Sequence, residues 1–202
     1  MNLINQLTIQ KFHEAKIELY GSGNAKSLAW HSSEGQLKRF EVLSQIGDLN
    51  NASILDLGCG NGDLCMYLNE RVENLDYHGI DFVQEFLDNA IERNKNCSKI
   101  KFYYADFMAG ELLSADFVFA SGSLNYKNSN PDFIFNAILK LYAHCNIALG
   151  FNLLSKPVSN EGILVSYSPE AIITYCKTLS SNVVLKEGYE EGDFTVMVYK
   201  KE

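Results

Sequence analysis

Between Asp56 and Gly62 the chain reads DLGCGNG, a carboxylate followed by glycines at every second position. Glycine opens left-handed backbone angles and removes the Cβ, so a ligand can lie directly against the main chain. The run SILDL before these glycines reads as a strand. DLCMYLNER after them reads as a helix whose first N–H groups are free for polar ligand atoms. Two more carboxylates close later strand-like runs, Asp81 in DYHGID and Asp106 in IKFYYAD. Ligands of an open α/β sheet sit beyond the carboxyl ends of its strands, where strand order reverses. There Asp81 can accept both hydroxyl hydrogens of a ribose, and Asp106 a hydrogen from an adenine amino group. A glycine turn alone needs no ligand, and an acid alone at a strand end is usually solvated. Three acids at successive strand ends of one sheet edge are hard to ascribe to chance.

The spacing also says what the ligand lacks. A dinucleotide fingerprint is G-x-G-x-x-G, and a triphosphate loop carries a lysine. Here the pattern is G-x-G-x-G with no such lysine. The expected ligand is an adenosine without phosphates.

The elements that must carry these groups alternate along the chain. SILDLG, DYHGID, IKFYYAD, DFVFASG and NIALGFNLLS read as strands, interleaved with the helical patterns DLCMYLNER, VQEFLDNAIERNK and PDFIFNAILKLYAHC. Pro131 should open the last of these helices, and Ser168 with Pro169 should cap a further one, SPEAIITYCKTL. VVLKEGY and FTVMVYK then follow without a helix between them, which predicts an antiparallel pair. Alternating units predict an α/β fold: a doubly wound, mostly parallel seven-stranded sheet with an antiparallel last strand and helices on both faces. Ahead of this core, LINQLTIQKFHEAKIELY has a loose helical spacing with Leu3, Leu7, Phe12 and Leu19 on its apolar side. Ser33 and Gln36 have the form of a capping box for a helix carrying Leu37, Phe40, Leu43 and Ile46. No repeat or linker interrupts the chain, so residues 1–202 read as one domain, with a helical extension over 1–48 and the core over 49–202.

Composition narrows the partners. Hydrophobic residues make up 47% of the 202, enough for a full core, and the net charge of −8 disfavours non-specific nucleic-acid binding, which relies on neutralised phosphates. The basic window RNKNCSKIK reads as a solvated helix end. The five cysteines are scattered without a CxxC pair, as expected of reduced thiols in a cytoplasmic protein, and no His, Asp or Glu cluster suggests a metal. No apolar run is long enough to span a bilayer.

ILDLGCGNGDL, GIDFVQEFLDNA and YYADF together resemble the class I S-adenosylmethionine-dependent methyltransferases, with their Rossmann-like core, over roughly Ile54 to Leu154. The resemblance implies S-adenosyl-L-methionine as cofactor and S-adenosyl-L-homocysteine as product, with no metal. It implies that Asp56 and the loop of Gly58, Cys59, Gly60 and Gly62 hold the methionine portion. Asp81 would bind the ribose, Phe82 would lie along the adenine, and Asp106 with the backbone of Phe107 would recognise the adenine edge. SGSLNY after the fourth strand, including Ser121, would line the place where donor and acceptor meet. The segment YGSGNAKSLAWHSSEGQLKRFEVL resembles the leading part of small-molecule members, where an aromatic residue and an arginine reach the donor's carboxylate, here Trp30 and Arg39.

Methyl transfer from a sulfonium is an in-line displacement that needs alignment and exclusion of water, and such positioning contributes on the order of 7–11 kcal/mol. A hydroxyl or ammonium acceptor must also lose a proton. His31, beside Trp30, is the leading base candidate, ahead of His13 and His78; His144 is explained by its place at a helix end. Tyr126 is a second catalytic candidate, and Tyr20, Asn125, Tyr126 and Tyr167 are placed to orient the acceptor. The absence of Asn-Pro-Pro-Tyr after the fourth strand speaks against methylation of nucleic-acid bases. The expectation is a methyltransferase acting on O or N of a small molecule such as a cell-surface carbohydrate or secondary-metabolite precursor. The alternatives are a protein methyltransferase and a non-catalytic module that binds the donor.

Overall fold

The computed structural model describes residues 3–30, 32–156 and 162–201. Helix α1 (Leu3–Tyr20), a 3₁₀ turn at Ala25–Leu28 and α2 (Ser33–Ser44) precede the sheet. Then come β1 (Ser53–Leu57), α3 (Asp63–Asn69), β2 (Asp76–Asp81), α4 (Gln84–Asn94), β3 (Ile100–Tyr104) and β4 (Ala115–Ser121). The chain continues through α5 (Phe133–His144), β5 (Cys145–Leu154), α6 (Pro169–Leu179), β6 (Val183–Glu187) and β7 (Asp193–Tyr199). Among the described residues seven strands form one sheet in the order β3-β2-β1-β4-β5-β7-β6, with β7 antiparallel to both its neighbours and the other pairings parallel. The order reverses between β1 and β4, so a crevice opens at their carboxyl ends.

The pleat sorts side chains to two faces. Leu55 and Leu57 of β1, Val118 and Ala120 of β4, and Leu149 and Phe151 of β5 pack with Ile134, Ile138 and Leu141 of α5. Their neighbours Ile54, Phe117, Phe119 and Ala148 pack on the other side with Phe40 and Leu43 of α2 and Leu64 and Leu68 of α3. Strands covered on both faces are apolar at nearly every position. Asp56 is the buried polar residue of β1, and it lies on the α2/α3 side of the pleat beside Ile54. Full burial of each large aliphatic or aromatic side chain contributes roughly 1.5–3 kcal/mol, so a one-residue slip of β1 would be heavily penalised.

Several local expectations shift. Ser32, not Ser33, caps α2, its hydroxyl accepting from the Gly35 N–H at 3.0 Å. Gln36 is thereby released from capping and turns to Asp63. Helix α5 starts at Phe133, behind Asp132, so Pro131 lies in the preceding turn. On α1 the inward residues are Ile9 and His13, while Leu3, Leu7 and Leu19 are exposed. Apolar residues occur all round this helix, and the groove formed by Phe82, Val83 and Phe86 selects the stripe that carries Ile9. Leu37 of α2 and Ile91 of α4 also face outward.

Candidate active site

The glycine loop that follows β1 is left-handed at each alternate residue, with φ of +74° at Gly58, +53° at Gly60 and +71° at Gly62. At Gly58 the demand is also steric: a Cβ there would lie 2.2 Å from the Cβ of Ser123 in the loop after β4. Close approach of these two loops forms the floor of the crevice.

Asp81 at the end of β2 holds this floor in shape. Its Oδ2 accepts from the Gly60 N–H at 2.9 Å, and its Oδ1 accepts from Phe82 N–H at 2.7 Å and Val83 N–H at 2.9 Å. The carboxylate is buried, and burial raises its pKa despite these three bonds. A carboxylate offers about four lone-pair directions. Three are taken by the protein, so one, on Oδ2, is left for a ligand.

Asp56 presents the opposite situation. The Tyr77 hydroxyl donates to its Oδ2, while Oδ1 is buried without a hydrogen-bond partner and the residue lines the crevice. Burial, with Asp81 nearby, pushes its pKa up to about 7. A buried acceptor left unmade costs roughly 1–3 kcal/mol, which a donor or cation entering the crevice would recover. Burial also pushes the Cys59 thiol well above its ordinary value, so Cys59 serves as an apolar wall and not as a nucleophile.

The segment before the sheet supplies the roof. Trp30 lies against Gly122, where a Cβ would meet its ring at 2.7 Å. The Arg39 guanidinium stacks on Trp30, 4.2 Å from the ring centroid, and pairs with the buried Asp193 of β7. Leu28 hangs over Gly60. From α1, His13 reaches across to the loop after β4, its Nε2 lying 2.7 Å from the Tyr126 hydroxyl and its Nδ1 2.8 Å from the Ser27 carbonyl oxygen. The crevice beneath this roof opens to solvent at its mouth.

Most residues singled out in the sequence converge on this crevice: Trp30, Arg39, Asp56, Gly58, Cys59, Gly60, Asp81, Phe82, Phe107, Ser121, Asn125 and Tyr126 line it. Gly62 instead caps α3 and packs against Phe102 and Ala90. Asp106 lies outside the lining, its Oδ1 accepting from the Met108 N–H at 2.8 Å in a turn that presents Phe107. Tyr20 is exposed at the end of α1, its ring covered by the amines of Lys16 and Lys26. Tyr167 sits behind the site, where its hydroxyl donates to the Leu124 carbonyl at 3.2 Å and braces the loop. Asn125 lines the crevice, yet its Oδ1 is taken by the Leu154 N–H. His31 falls outside the described residues, and His78 stacks on Tyr103 at the β3 edge, away from the site. His13, a candidate placed behind His31 in the sequence, lies in the crevice lining. Its signal was the spacing from Ile9, four residues earlier, which puts both on one helix face. Gln36 and Asp63, also in the lining, carried no signal beyond a helix start.

Known proteins place this geometry in context. The family described as "Methyltransferase domain" matches residues 48–183. Rv1506c of Mycobacterium tuberculosis, named a methyltransferase, is 31% identical over 165 residues, covering 73% of this chain and 93% of that one. Phosphoethanolamine N-methyltransferase of Plasmodium falciparum is 35% identical over 86 residues, 43% of this chain and 32% of that one. Among solved structures, the N-methyltransferase NodS of Bradyrhizobium japonicum, in complex with S-adenosyl-L-homocysteine, superposes with a TM-score of 0.71 at 16% identity, covering 96% of this chain and 98% of that one. Magnesium protoporphyrin IX methyltransferase of Synechocystis gives a TM-score of 0.67 at 13% identity, covering 83% and 84% of the two chains. With the sheet order, the left-handed glycine loop and the family match in agreement, the chain belongs to the class I S-adenosylmethionine-dependent methyltransferases.

Proposed function

We propose that this enzyme methylates an oxygen or nitrogen of a small acceptor that is neutral or cationic. The observation that carries the reading is the charge of the crevice wall. Asp56 and Asp81 face it, and among the described lining residues the single permanent cation, Arg39, is already paired with Asp193. Such a wall favours a sulfonium donor and penalises an anionic acceptor, because like charges in a poorly solvated site repel strongly.

When bound, S-adenosylmethionine supplies an electrophilic methyl group, and the protein's work is binding and alignment. The backbone of the loop from Gly58 to Gly60 would lie along the methionine portion, with Ser123 and Leu28 packed where Cβ atoms of Gly58 and Gly60 would stand. Asp56 Oδ1 is the acceptor for its ammonium group. The remaining lone-pair direction of Asp81 accepts one ribose hydroxyl, while Phe82 and Phe107 offer apolar surface to the adenine. The guanidinium edges of Arg39 not taken by Asp193 can reach the donor's carboxylate, with Trp30 holding the fork flat. Ser121, Asn125 and Tyr126, with Leu154 and Leu164, form the acceptor end.

The test is calorimetric titration with S-adenosylhomocysteine, followed by transfer from methyl-tritiated S-adenosylmethionine to matched acceptors: primary amines, sugars and phenols, phosphomonoesters, a lysine-rich peptide and RNA. Label in amines or hydroxyl compounds is expected. Preference for phosphomonoesters would refute the charge argument, and label confined to peptide or RNA would refute the small acceptor.

A further inference from the structure

We propose that His13 and Tyr126 form a proton-accepting relay for the acceptor, with His13 acting through the tyrosine. The inference deepens the reading above and rests on it. A carbonyl oxygen only accepts hydrogen bonds, so the 2.8 Å contact from Nδ1 to the Ser27 oxygen requires the ring proton to be on Nδ1. The neutral ring then has its lone pair on Nε2, and the Tyr126 hydroxyl 2.7 Å away must be the donor. With its own hydrogen committed, the Tyr126 oxygen can offer a lone pair within the crevice that both residues line. Edge contacts with Phe12, Phe86 and Tyr126 fix the imidazole.

The step balances. As the acceptor's O or N bonds to the methyl carbon, the carbon–sulfur bond breaks with its electron pair left on sulfur. The acceptor's proton passes to the Tyr126 oxygen while the tyrosine's own proton passes to Nε2. One positive charge leaves the sulfonium as another forms on the imidazole, so the site's net charge is unchanged. Burial, with Lys16, lowers the His13 pKa to about 4, so the ring is neutral at rest with its Nε2 lone pair free for the tyrosine's hydrogen, and it is a weak base whose imidazolium forms only as the sulfonium charge is lost. Tyr126 never has to ionise, which burial and the nearby Asp81 would oppose.

The experiment uses full-length protein saturated with S-adenosylhomocysteine. Failure to bind this ligand would sink the methyltransferase site itself, separately from the relay. In ¹⁵N-histidine spectra at pH 7, His13 is expected as the Nδ1–H tautomer, with a hydrogen-bonded Nε2 whose resonance moves in Tyr126→Phe. An Nε2–H tautomer or an imidazolium at that pH overturns the relay. With tritiated donor, His13→Gln retains an oxygen to accept from Tyr126 but cannot take up a proton. It and Tyr126→Phe should lose roughly 10²–10⁴-fold in kcat on amine or alcohol acceptors, the usual worth of a general base. With pyridine, neutral at pH 7 and with no proton on its nitrogen to lose, the loss should stay under about tenfold while ligand affinity is unchanged. Wild-type kcat in His13→Gln on an alcohol or amine would also overturn it.

Discussion

Removing the carboxylate of Asp81 should separate two jobs that one side chain performs. In Asp81→Ala, Phe82 and Val83 lose the acceptor at the start of α4, comparable to loss of a helix cap, about 1 kcal/mol. The Gly60 N–H, covered by Leu28, loses its acceptor where water enters poorly, at a cost of roughly 1–3 kcal/mol. Together the loss is about 2–4 kcal/mol, well short of three full charged bonds because burial already raises the pKa of this carboxylate. For a chain of this length each kcal/mol moves Tm by about 2–4 °C, so a drop of roughly 4–16 °C is expected. Asp81→Asn retains one oxygen for the helix N–H groups but turns an NH₂ toward the Gly60 N–H. It should lose only the Gly60 share, about 1–3 kcal/mol. Both variants should bind S-adenosylhomocysteine roughly 10–150-fold more weakly, the worth of one hydrogen bond to a charged acceptor. Urea denaturation and titration calorimetry on the three proteins supply the numbers. If Asp81→Ala unfolds within about 0.5 kcal/mol of the wild type, the carboxylate does not hold the glycine loop. Unchanged affinity in a folded variant would remove the ribose role alone.

Two other perturbations have signed outcomes. Asp56 titrates near 7 in the folded protein against an ordinary 3.8, so its contribution to stability is full below pH 4 and is lost as pH rises through about 7. The stability difference between wild type and Asp56→Asn should therefore change by pH 7.5 in the wild type's disfavour, and S-adenosylmethionine binding at pH 7 should release protons into the buffer; parallel pH profiles would refute the assignment. Arg39→Met strips the buried Asp193 of its guanidinium and should cost about 3–5 kcal/mol, most of it recovered in Arg39→Met/Asp193→Asn. Equal denaturant midpoints for the single and double variants would show that the pair is not the source of the loss.

Much of the molecule was legible in one dimension. Alternating β and α patterns with a helix-free final pair announced a mostly parallel seven-stranded sheet with an antiparallel last strand, because covering two apolar faces requires helices between parallel strands, while the order that inserts β7 between β5 and β6 was decided in three dimensions. The DLGCGNG spacing located the crevice, since left-handed turns at a strand end need glycine whatever surrounds them. Side-chain partnerships were not legible. His13 and Tyr126 meet across 113 positions, Arg39 finds Asp193 on the last strand, and Asp81, read in the sequence as a ligand contact, accepts from the glycine loop at Gly60 and from Phe82 and Val83 ahead of α4. Tyr20, exposed at the end of α1, and Tyr167, bracing the loop after β4 through its hydroxyl, both lie outside the crevice lining. Backbone periodicity is a local property written in neighbouring residues, whereas which polar atom meets which is settled only when the packed core fixes every helix's rotation and every rotamer at once.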